Sequence, residues 1–292
     1  MSPSLTDVEK IRKLPWLIAA DTLNTGFFLL TFSGSVFILF LNELGLNTGQ
    51  IGFLLSLVPF CGIIAPFIAP QIARFGYKRV YVTFWGVRSI VFAFILLTPL
   101  VLTRFGSGYT FYWVSGIIFG FAVCRAIAET GGYPWRKEAV PDSIRGKFSA
   151  TNSMSNTVAA IIVIIGAGLI IDAGSGLARF MLLMSVGITL GLASTWCYAQ
   201  VPGGAPVKPN GPTSQHLSGL KGALLDRNFR RFLLALGLAT VGGTSVISFV
   251  PLYMKDQVGL SDGNVVLLSI GTYTRNGLKL DFLVVINNIL NR

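Results

Sequence analysis

Long apolar runs alternate with short polar connections along most of the chain. Seven of these runs hold 20 or more residues, and an eighth begins near Gly263. A helix needs about 20 mostly apolar residues to cross a bilayer, and in lipid a helix satisfies all of its own backbone amides. The pattern predicts an all-α polytopic membrane protein whose spanning helices cover residues 16–41, 50–73, 80–102, 110–129, 148–171, 179–201 and 232–254.

Composition supports a bilayer as the surroundings of the chain. The sequence is 52% hydrophobic and only 12% charged, whereas soluble domains carry about 25% charged residues. The net charge of +11 is spread in small groups between the apolar runs, and a nucleic-acid site requires clustered basic residues. We therefore expect the lipid bilayer, and no nucleic acid, among the partners of this protein.

The basic residues fall almost entirely on one side of the predicted membrane. Fifteen lysines and arginines lie in the N-terminus, in the connections after the second and fourth runs, and in the stretch after the sixth run. The alternate connections hold only Arg104, Arg179 and Lys255. Because short cytoplasmic loops are enriched in Lys and Arg, we expect a multi-pass protein of the cell membrane with a cytoplasmic N-terminus.

The reactive side chains do not form the pattern of an enzyme. Cys61, Cys124 and Cys197 each stand alone in an apolar run, and the single histidine, His216, lies in a loop-forming stretch. Metal sites and His-activated nucleophiles need such residues in clusters, and the sequence holds no glycine-rich phosphate loop. We expect no metal, no cofactor and no enzymatic activity.

A short polar segment that precedes an apolar run occurs twice in the sequence, and we call it the polar step. The stretch GLNTGQIGFLLSL at Gly45 and the stretch GLSDGNVVLLSI at Gly259 align without a gap at an offset of 214 residues. Asn47 and Ser261 occupy the position of a helix N-cap in the two copies. The repeat predicts two related helical blocks, and internal repeats of this kind are typical of secondary transporters.

The repeat also sets the expected domain organisation. Residues 1–201 form a six-helix bundle and residues 202–231, which are polar, basic and rich in Pro and Gly, form a cytoplasmic linker. Residues 232–273 begin a second bundle with helix seven and part of helix eight. Residues 274–292 place Arg275, Lys279 and Asp281 where the centre of the bilayer is expected, and each such charge costs a few kcal/mol. We interpret this tail as the product of a truncated, frame-shifted second half.

Two connections carry sequence motifs. The second connection reads APQIARFGYKRV, and the stretch after the fourth run reads EAVPDSIRG. The chain resembles the major facilitator superfamily of transporters, which has G-x-L-A-D-R-x-G-R-K-R at the first place and E-x-V-P-x-x-x-R-G at the second. The matching residues are Arg74, Gly76, Lys78, Arg79, Glu138, Pro141, Arg145 and Gly146. Ala73 stands where the family has its acidic residue, and Ala69 where it has its first glycine.

The resemblance implies a fold of two six-helix bundles and transport of a small solute by alternating access, with proton coupling as an open possibility. It further implies that the motif residues close the cytoplasmic side by pairing with carboxylates, for which Glu129 or Glu138 could replace the missing acidic residue. The alternative is that the basic residues only set the topology. The family's antiporter signature is absent from the fifth run, which argues against drug/proton antiport.

Polar side chains inside the predicted spans are the candidates for a substrate or coupling site. Asp21 and Arg125 are expected at equal depth and could form an ion pair, either functional or structural. Arg88 lies in the third run without a partner in its own helix. The remaining candidates are Asn24 in the first run and Asn152 and Asn156 in the fifth, where a stripe of polar side chains could bind a solute or hold helices together.

Two functions remain open from the sequence. The first is secondary-active transport of a small solute. The second is a non-transporting fragment of such a transporter, either inert or bound to a membrane partner, because alternating access needs two bundles.

Overall fold

The computed structural model describes residues 7–32, 34–206, 222 and 225–271, without the side chains of 236 and 239–248. This part of the chain is helical and contains no strand. Three short 3-10 turns, Gly62–Ile64, Phe94–Leu97 and Asp142–Ile144, join neighbouring helices. The helices are α1 Asp7–Thr31, α2 Ser35–Glu43, α3 Thr48–Cys61, α4 Ala65–Phe75, α5 Tyr77–Ala93, α6 Thr98–Ala139, α7 Arg145–Ala173, α8 Leu177–Ala199, α9 Arg227–Asp256 and α10 Asp262–Leu268.

Five helical stretches of the described chain are long and apolar enough to cross a membrane. One of them, Tyr77–Ala139, holds 63 residues, and at 1.5 Å per residue it would be about 95 Å long against a hydrocarbon core of about 30 Å. The backbone of this stretch leaves helical geometry at Gly106, with φ 80° and ψ 177°. It therefore forms two crossings, and the chain is an all-α polytopic membrane protein as predicted.

The helices extend beyond several of the predicted runs. The first run is not one helix, because α1 ends at Thr31 and α2 begins at Ser35. At its other end α1 begins at Asp7, nine residues before the run. Likewise α6 continues ten residues past Glu129, with Pro134 inside the helix. These extensions decide which polar side chains lie level with one another.

The first helix lies at the centre of the six-crossing bundle. It packs along α8 and α7, while α5 packs along α6 and α8. Its Phe27 is fully buried and contacts the rings of Phe92 on α5 and Phe121 on α6. Leu252 of α9 and Val265 of α10 join the same apolar core, so the residues that follow the linker pack directly on the first bundle.

The repeated polar step has the same local structure in both copies. Gly45 and Gly259 have φ of 76° and 74°, a region that glycine adopts without the steric cost of a side chain. Asn47 Oδ1 accepts a hydrogen bond from the Gln50 amide at 2.9 Å, and Ser261 Oγ accepts one from the Asn264 amide at 3.3 Å. Both predicted N-caps are confirmed.

Successive membrane crossings, of which α1 with α2 and α3 with α4 each form one, alternate in direction and give the bundle two ends. We call the end that carries Lys13, Lys78 and Arg145 the basic face, and the end that carries Glu43, Arg179 and Asp262 the far face. Residues 202–206 run across the basic face. Residues 207–221 of the predicted linker and the whole predicted tail, 274–292, lie outside the described residues, so the domain boundaries stay a prediction.

Candidate functional site

Asp21 is the centre of a polar cluster that joins five helices. Asp21 is only 6% exposed. Its carboxylate accepts two hydrogen bonds from Arg136 of α6, Nη2–Oδ1 at 2.5 Å and Nη1–Oδ2 at 3.1 Å. It also accepts a short bond from the Tyr198 hydroxyl of α8 and one from Asn152 Nδ2 of α7 at 3.0 Å. We call Asp21, Arg136, Tyr198, Asn152 and Tyr81 the Asp21 cluster.

Both terminal nitrogens of Arg136 have hydrogen-bond acceptors. Its Nη2 also donates to the hydroxyls of Tyr198 at 2.7 Å and Tyr81 at 3.2 Å. The two tyrosine rings meet edge to face, and Tyr81 stacks on Trp85 with ring centroids 4.7 Å apart. The Arg136 side chain is 36% exposed while that of Asp21 is 7% exposed, so the buried carboxylate is paired with a side chain that is itself partly exposed.

The predicted pair of Asp21 with Arg125 is wrong. Arg125 Nε donates to Glu129 Oε1 at 2.8 Å, one turn along the same helix. The ends of the apolar runs do not coincide with the ends of the helices, so they give the wrong depth for Asp21 relative to the side chains of α6. Because α1 begins at Asp7 and α6 reaches Ala139, Asp21 lies level with Arg136, which the run pattern had placed in a connection.

Arg88 is completely buried on α5. Its Nη2 donates to Asn24 Oδ1 at 2.5 Å. Its guanidinium carbon lies 3.3 Å from the centroid of the Trp85 ring, and the rings of Phe27, Phe28 and Phe121 surround it at 4.8 to 5.7 Å. The sequence candidates Asn24 and Arg88 are therefore brought together, in an aromatic setting that the sequence did not indicate.

The asparagines of α7 divide between two situations. Asn152 belongs to the Asp21 cluster, although its Oδ1 is buried without a hydrogen-bond partner in the described part of the chain. Asn156 Oδ1 is likewise buried and unpartnered there. The predicted polar stripe thus includes acceptors that this conformation does not use.

The motif residues of the basic face make mostly backbone contacts. Lys78 Nζ donates to the Ala199 carbonyl at 2.9 Å, and Glu138 Oε2 accepts from the Gly204 amide at 3.1 Å. Arg145 pairs with Asp142 and donates to the carbonyls of Lys137 and Val140 at 3.4 Å. Pro141 separates α6 from the turn Asp142–Ile144, and Gly146 lies in the first turn of α7.

Apart from the local pair of Arg145 with Asp142, the predicted closing contacts between motif cations and carboxylates are not formed in this conformation within the described residues. Within the described residues, Arg74, Lys78 and Arg79 form no ion pair. Of the two proposed substitutes, Glu129 pairs with Arg125 and Glu138 binds the backbone at Gly204. The role of these residues in closing the basic face stays a prediction, next to the alternative that they set topology.

A second ionic network lies on the far face and was not predicted. Arg179 Nη2 on α8 lies 2.6 Å from Asp262 Oδ2, and Lys255 Nζ lies 3.0 Å from Asp262 Oδ1. Glu43 approaches Arg179 at 3.7 Å, and Asp172 Oδ1 accepts from the Gly263 amide at 3.1 Å. We call Glu43, Asp172, Arg179, Lys255 and Asp262 the far-face network.

The residues that sequence reasoning missed share a cause. Arg136, Arg179 and Asp262 lie in or beside predicted connections, where charged side chains are expected to be solvated. Tyr81 and Tyr198 lie in apolar runs, where an aromatic ring is expected to pack. Their pairing over long sequence separations gave no local signal. For metals, the described residues include no group of three or more His, Cys, Asp or Glu side chains placed to bind an ion.

Comparison with known proteins gives one finding. No curated protein and no solved structure matches the chain. The sequence model of the Major Facilitator Superfamily matches residues 23–274, which is most of the chain. The match agrees with the bundle of membrane-length helices, and the family consists of membrane transporters. The chain therefore belongs to the Major Facilitator Superfamily.

Proposed function

We propose that this protein carries out secondary-active transport of a small solute by alternating access, in the cell membrane and with its basic face toward the cytoplasm. The observation that carries the proposal is the Arg179–Asp262 ion pair at 2.6 Å. It joins α8, the last helix of the first bundle, to the first residue of α10, the second helix of the second bundle, on the face opposite to the basic one.

The far-face network has the properties of a reversible closing contact. The Arg179 and Asp262 side chains are 13% and 11% exposed, so closure largely removes both charges from water. Desolvation cancels much of the Coulomb attraction in such a pair, so opening the far face would rehydrate the charges at a small net cost in free energy.

The packing around the network supports a closed far face. Asp172 of α7 accepts from the Gly263 amide, and Leu267 of α10 packs against Gly168 of α7. Val265 is 2% exposed beneath these contacts. A movement that opens this side has to separate α10 from α7 along their shared length.

The Asp21 cluster supplies the proposed coupling group near the other end of the bundle. One carboxylate holds side chains from α6, α7 and α8. Protonation of this carboxylate would remove its charge, and a competing solute would displace its partners. Either event would release Arg136, Tyr198 and Asn152 together. Proton coupling through Asp21 is part of this proposal.

Cysteine labelling tests alternating access without knowledge of the substrate. In a background whose three cysteines are replaced by alanine, Val265→Cys reports on the far face and the exposed Ser149→Cys reports on the basic side of α7. We expect Asp262→Asn to raise the labelling rate at 265 about tenfold and to lower the rate at 149. Glu43→Gln is the matched control, because its 3.7 Å contact is weak.

Parallel rises at both reporters would indicate general loosening and would overturn the proposal, as would no change at either. Uptake then tests transport itself. Purified chain in proteoliposomes is given a panel of labelled solutes with and without a proton gradient. Accumulation that responds to the gradient and is lost in Asp21→Asn supports coupled transport. Gradient-dependent uptake unchanged in Asp21→Asn would remove Asp21 as the coupling group.

A further inference from the structure

Arg88 carries more hydrogen-bond donors than its surroundings use. A guanidinium has five N–H donors, one on Nε and two on each terminal nitrogen. Nη2 donates to Asn24, but Nε and Nη1 are buried without a partner among the described residues. At least three charged N–H groups are therefore unpaired in a side chain that is 0% exposed.

No described carboxylate neutralises this charge. Arg125 has Glu129 at 2.8 Å and Arg136 has Asp21 at 2.5 Å, whereas Arg88 forms no ion pair within the described part of the chain. A buried charge is stable only when it is paired or otherwise compensated. The interior of the first bundle thus holds one cation in excess, and it is Arg88.

The aromatic rings attract the Arg88 charge but leave its Nε and Nη1 donors without a nitrogen or oxygen acceptor among the described residues. The guanidinium carbon lies 3.3 Å from the centroid of the Trp85 ring and 4.8 and 5.0 Å from those of Phe27 and Phe28. Cation–π attraction stabilises a positive charge over an aromatic ring, whereas a carboxylate would supply the missing hydrogen-bond acceptors.

The Nε and Nη1 donors of Arg88 are one side-chain layer from a partly exposed surface. Asn24 and Phe28 are both half-buried on α1. The guanidinium carbon of Arg125, whose side chain is 26% exposed, lies 5.0 Å from the centroid of the same Phe28 ring that Arg88 contacts. Arg88 and Arg125 therefore both contact the Phe28 ring, and Asn24 is the polar group that bonds to Arg88.

We propose that Arg88, with Asn24 and Arg125, forms the binding site for the carboxylate of a small organic anion, and that the aromatic side chains around it hold the apolar body of that anion. The carboxylate would take over the contact of Arg88 with Asn24 and neutralise the excess charge. Transport of such an anion would rest on the proposed function, but binding does not.

Benzoate is the probe, because it combines a carboxylate with an aromatic ring, and benzamide is the neutral probe of the same size. The full chain, purified in detergent and chloride-free buffer, is unfolded by heat at increasing probe concentrations. We expect benzoate to raise the unfolding temperature in a saturable way and benzamide to leave it unchanged, because a ligand that binds only the folded state stabilises it.

Asn24→Asp is the decisive variant. It keeps the shape of the side chain and supplies Arg88 with a carboxylate of its own, so the variant should fold and unfold at a higher temperature without ligand. Its apparent benzoate affinity should fall by about tenfold or more, the size expected for losing a hydrogen bond to a charged group. Asn42→Asp adds the same charge at a half-buried asparagine of α2 on the far side and should keep the benzoate response.

The two aspartate variants distinguish a specific anion site from a general effect of charge. Equal loss of the benzoate response in Asn24→Asp and Asn42→Asp would show that any added negative charge weakens binding and would overturn the proposal. An absent response in the unmodified chain would overturn it as well. Arg88→Lys, which keeps the charge, should retain part of the response. The cysteine reporters for alternating access lie on α7 and α10, and the residues of the anion site lie on α1, α5 and α6. Failure of the anion site and failure of the transport mechanism are therefore read separately.

Discussion

Asp21 and Arg136 lie 115 positions apart and form a two-point ion pair, with Nη2–Oδ1 at 2.5 Å and Nη1–Oδ2 at 3.1 Å. The pair ties the central helix α1 to the end of α6 and binds side chains from three further helices. The Asp21 side chain is 7% exposed and the Arg136 side chain 36% exposed. Removal of either side chain therefore leaves the charge of the other without its counter-ion inside the bundle.

Asp21→Asn should lower the free energy of unfolding by about 3 kcal/mol, because it leaves Arg136 without its counter-ion. Arg136→Gln should cost a similar amount, and the double variant should cost less than the sum by about 1–3 kcal/mol. Thermal unfolding of the four detergent-purified proteins measures this coupling.

Asp142→Asn is the control for that cycle. Asp142 pairs with Arg145, but its side chain is 85% exposed, and exposed pairs contribute at most about 1 kcal/mol. Strict additivity of the Asp21 and Arg136 variants would contradict the ion pair.

Tyr198→Phe should destabilise the chain by about 1–3 kcal/mol, because the hydroxyl donates to a charged acceptor and accepts from a charged donor. The ring still packs against Trp135 and Tyr81, so the loss isolates the hydroxyl. Tyr112→Phe is the matched change at a tyrosine that is 73% exposed and should have no effect. Equal stability of the two variants would exclude the Tyr198 hydroxyl from the cluster.

Gly76→Ala tests the turn between α4 and α5. Gly76 has φ 97° and ψ 125°, and an added Cβ would lie 3.2 Å from the Gly204 carbonyl oxygen. Backbone strain of this kind costs about 1–3 kcal/mol in unfolding free energy. Gly146→Ala meets open space in the first turn of α7 and should be neutral or stabilising by up to about 1 kcal/mol. A Gly76→Ala protein as stable as the Gly146→Ala protein would contradict the turn geometry.

The proposed orientation predicts which exposed positions react with a membrane-impermeant maleimide in intact cells. In the cysteine-free background, Gln257→Cys on the far face should be labelled and Lys147→Cys on the basic face should be protected. Lysing the cells should expose both. The reverse pattern would place the basic face outside and contradict the positive-inside interpretation.

Much of the fold follows from local pattern. Runs of apolar residues long enough to cross a bilayer predicted that the chain is helical, since lipid leaves the backbone few alternatives. They did not predict how the runs divide into separate helices, such as the break between α1 and α2. The caps at Asn47 and Ser261 could also be predicted, because a cap depends on a residue and its next three neighbours. Helix ends were less predictable: the fourth apolar run ends at Glu129, but α6 continues to Ala139.

The candidate site was predicted in its parts but not in its pairing. Asp21, Asn24, Arg88 and Asn152 were found because polar side chains are rare within apolar runs. Arg136, Tyr198 and Asp262 were missed because a charge beside a connection, or a tyrosine in an apolar run, has an ordinary structural role.

By itself, then, the sequence determined that this chain is a membrane-spanning helical bundle with an internal repeat and a basic end. Each of these properties depends on composition or on neighbouring residues in the sequence, because the preference for water or lipid belongs to each side chain individually. The tertiary structure alone decided that Asp21 meets Arg136, that Arg179 meets Asp262, and that Arg88 lies among aromatic rings without a carboxylate partner in the described part of the chain. These relationships depend on the relative depth and rotation of packed helices, which shift by a full turn when a helix begins or ends a few residues away from its apolar run.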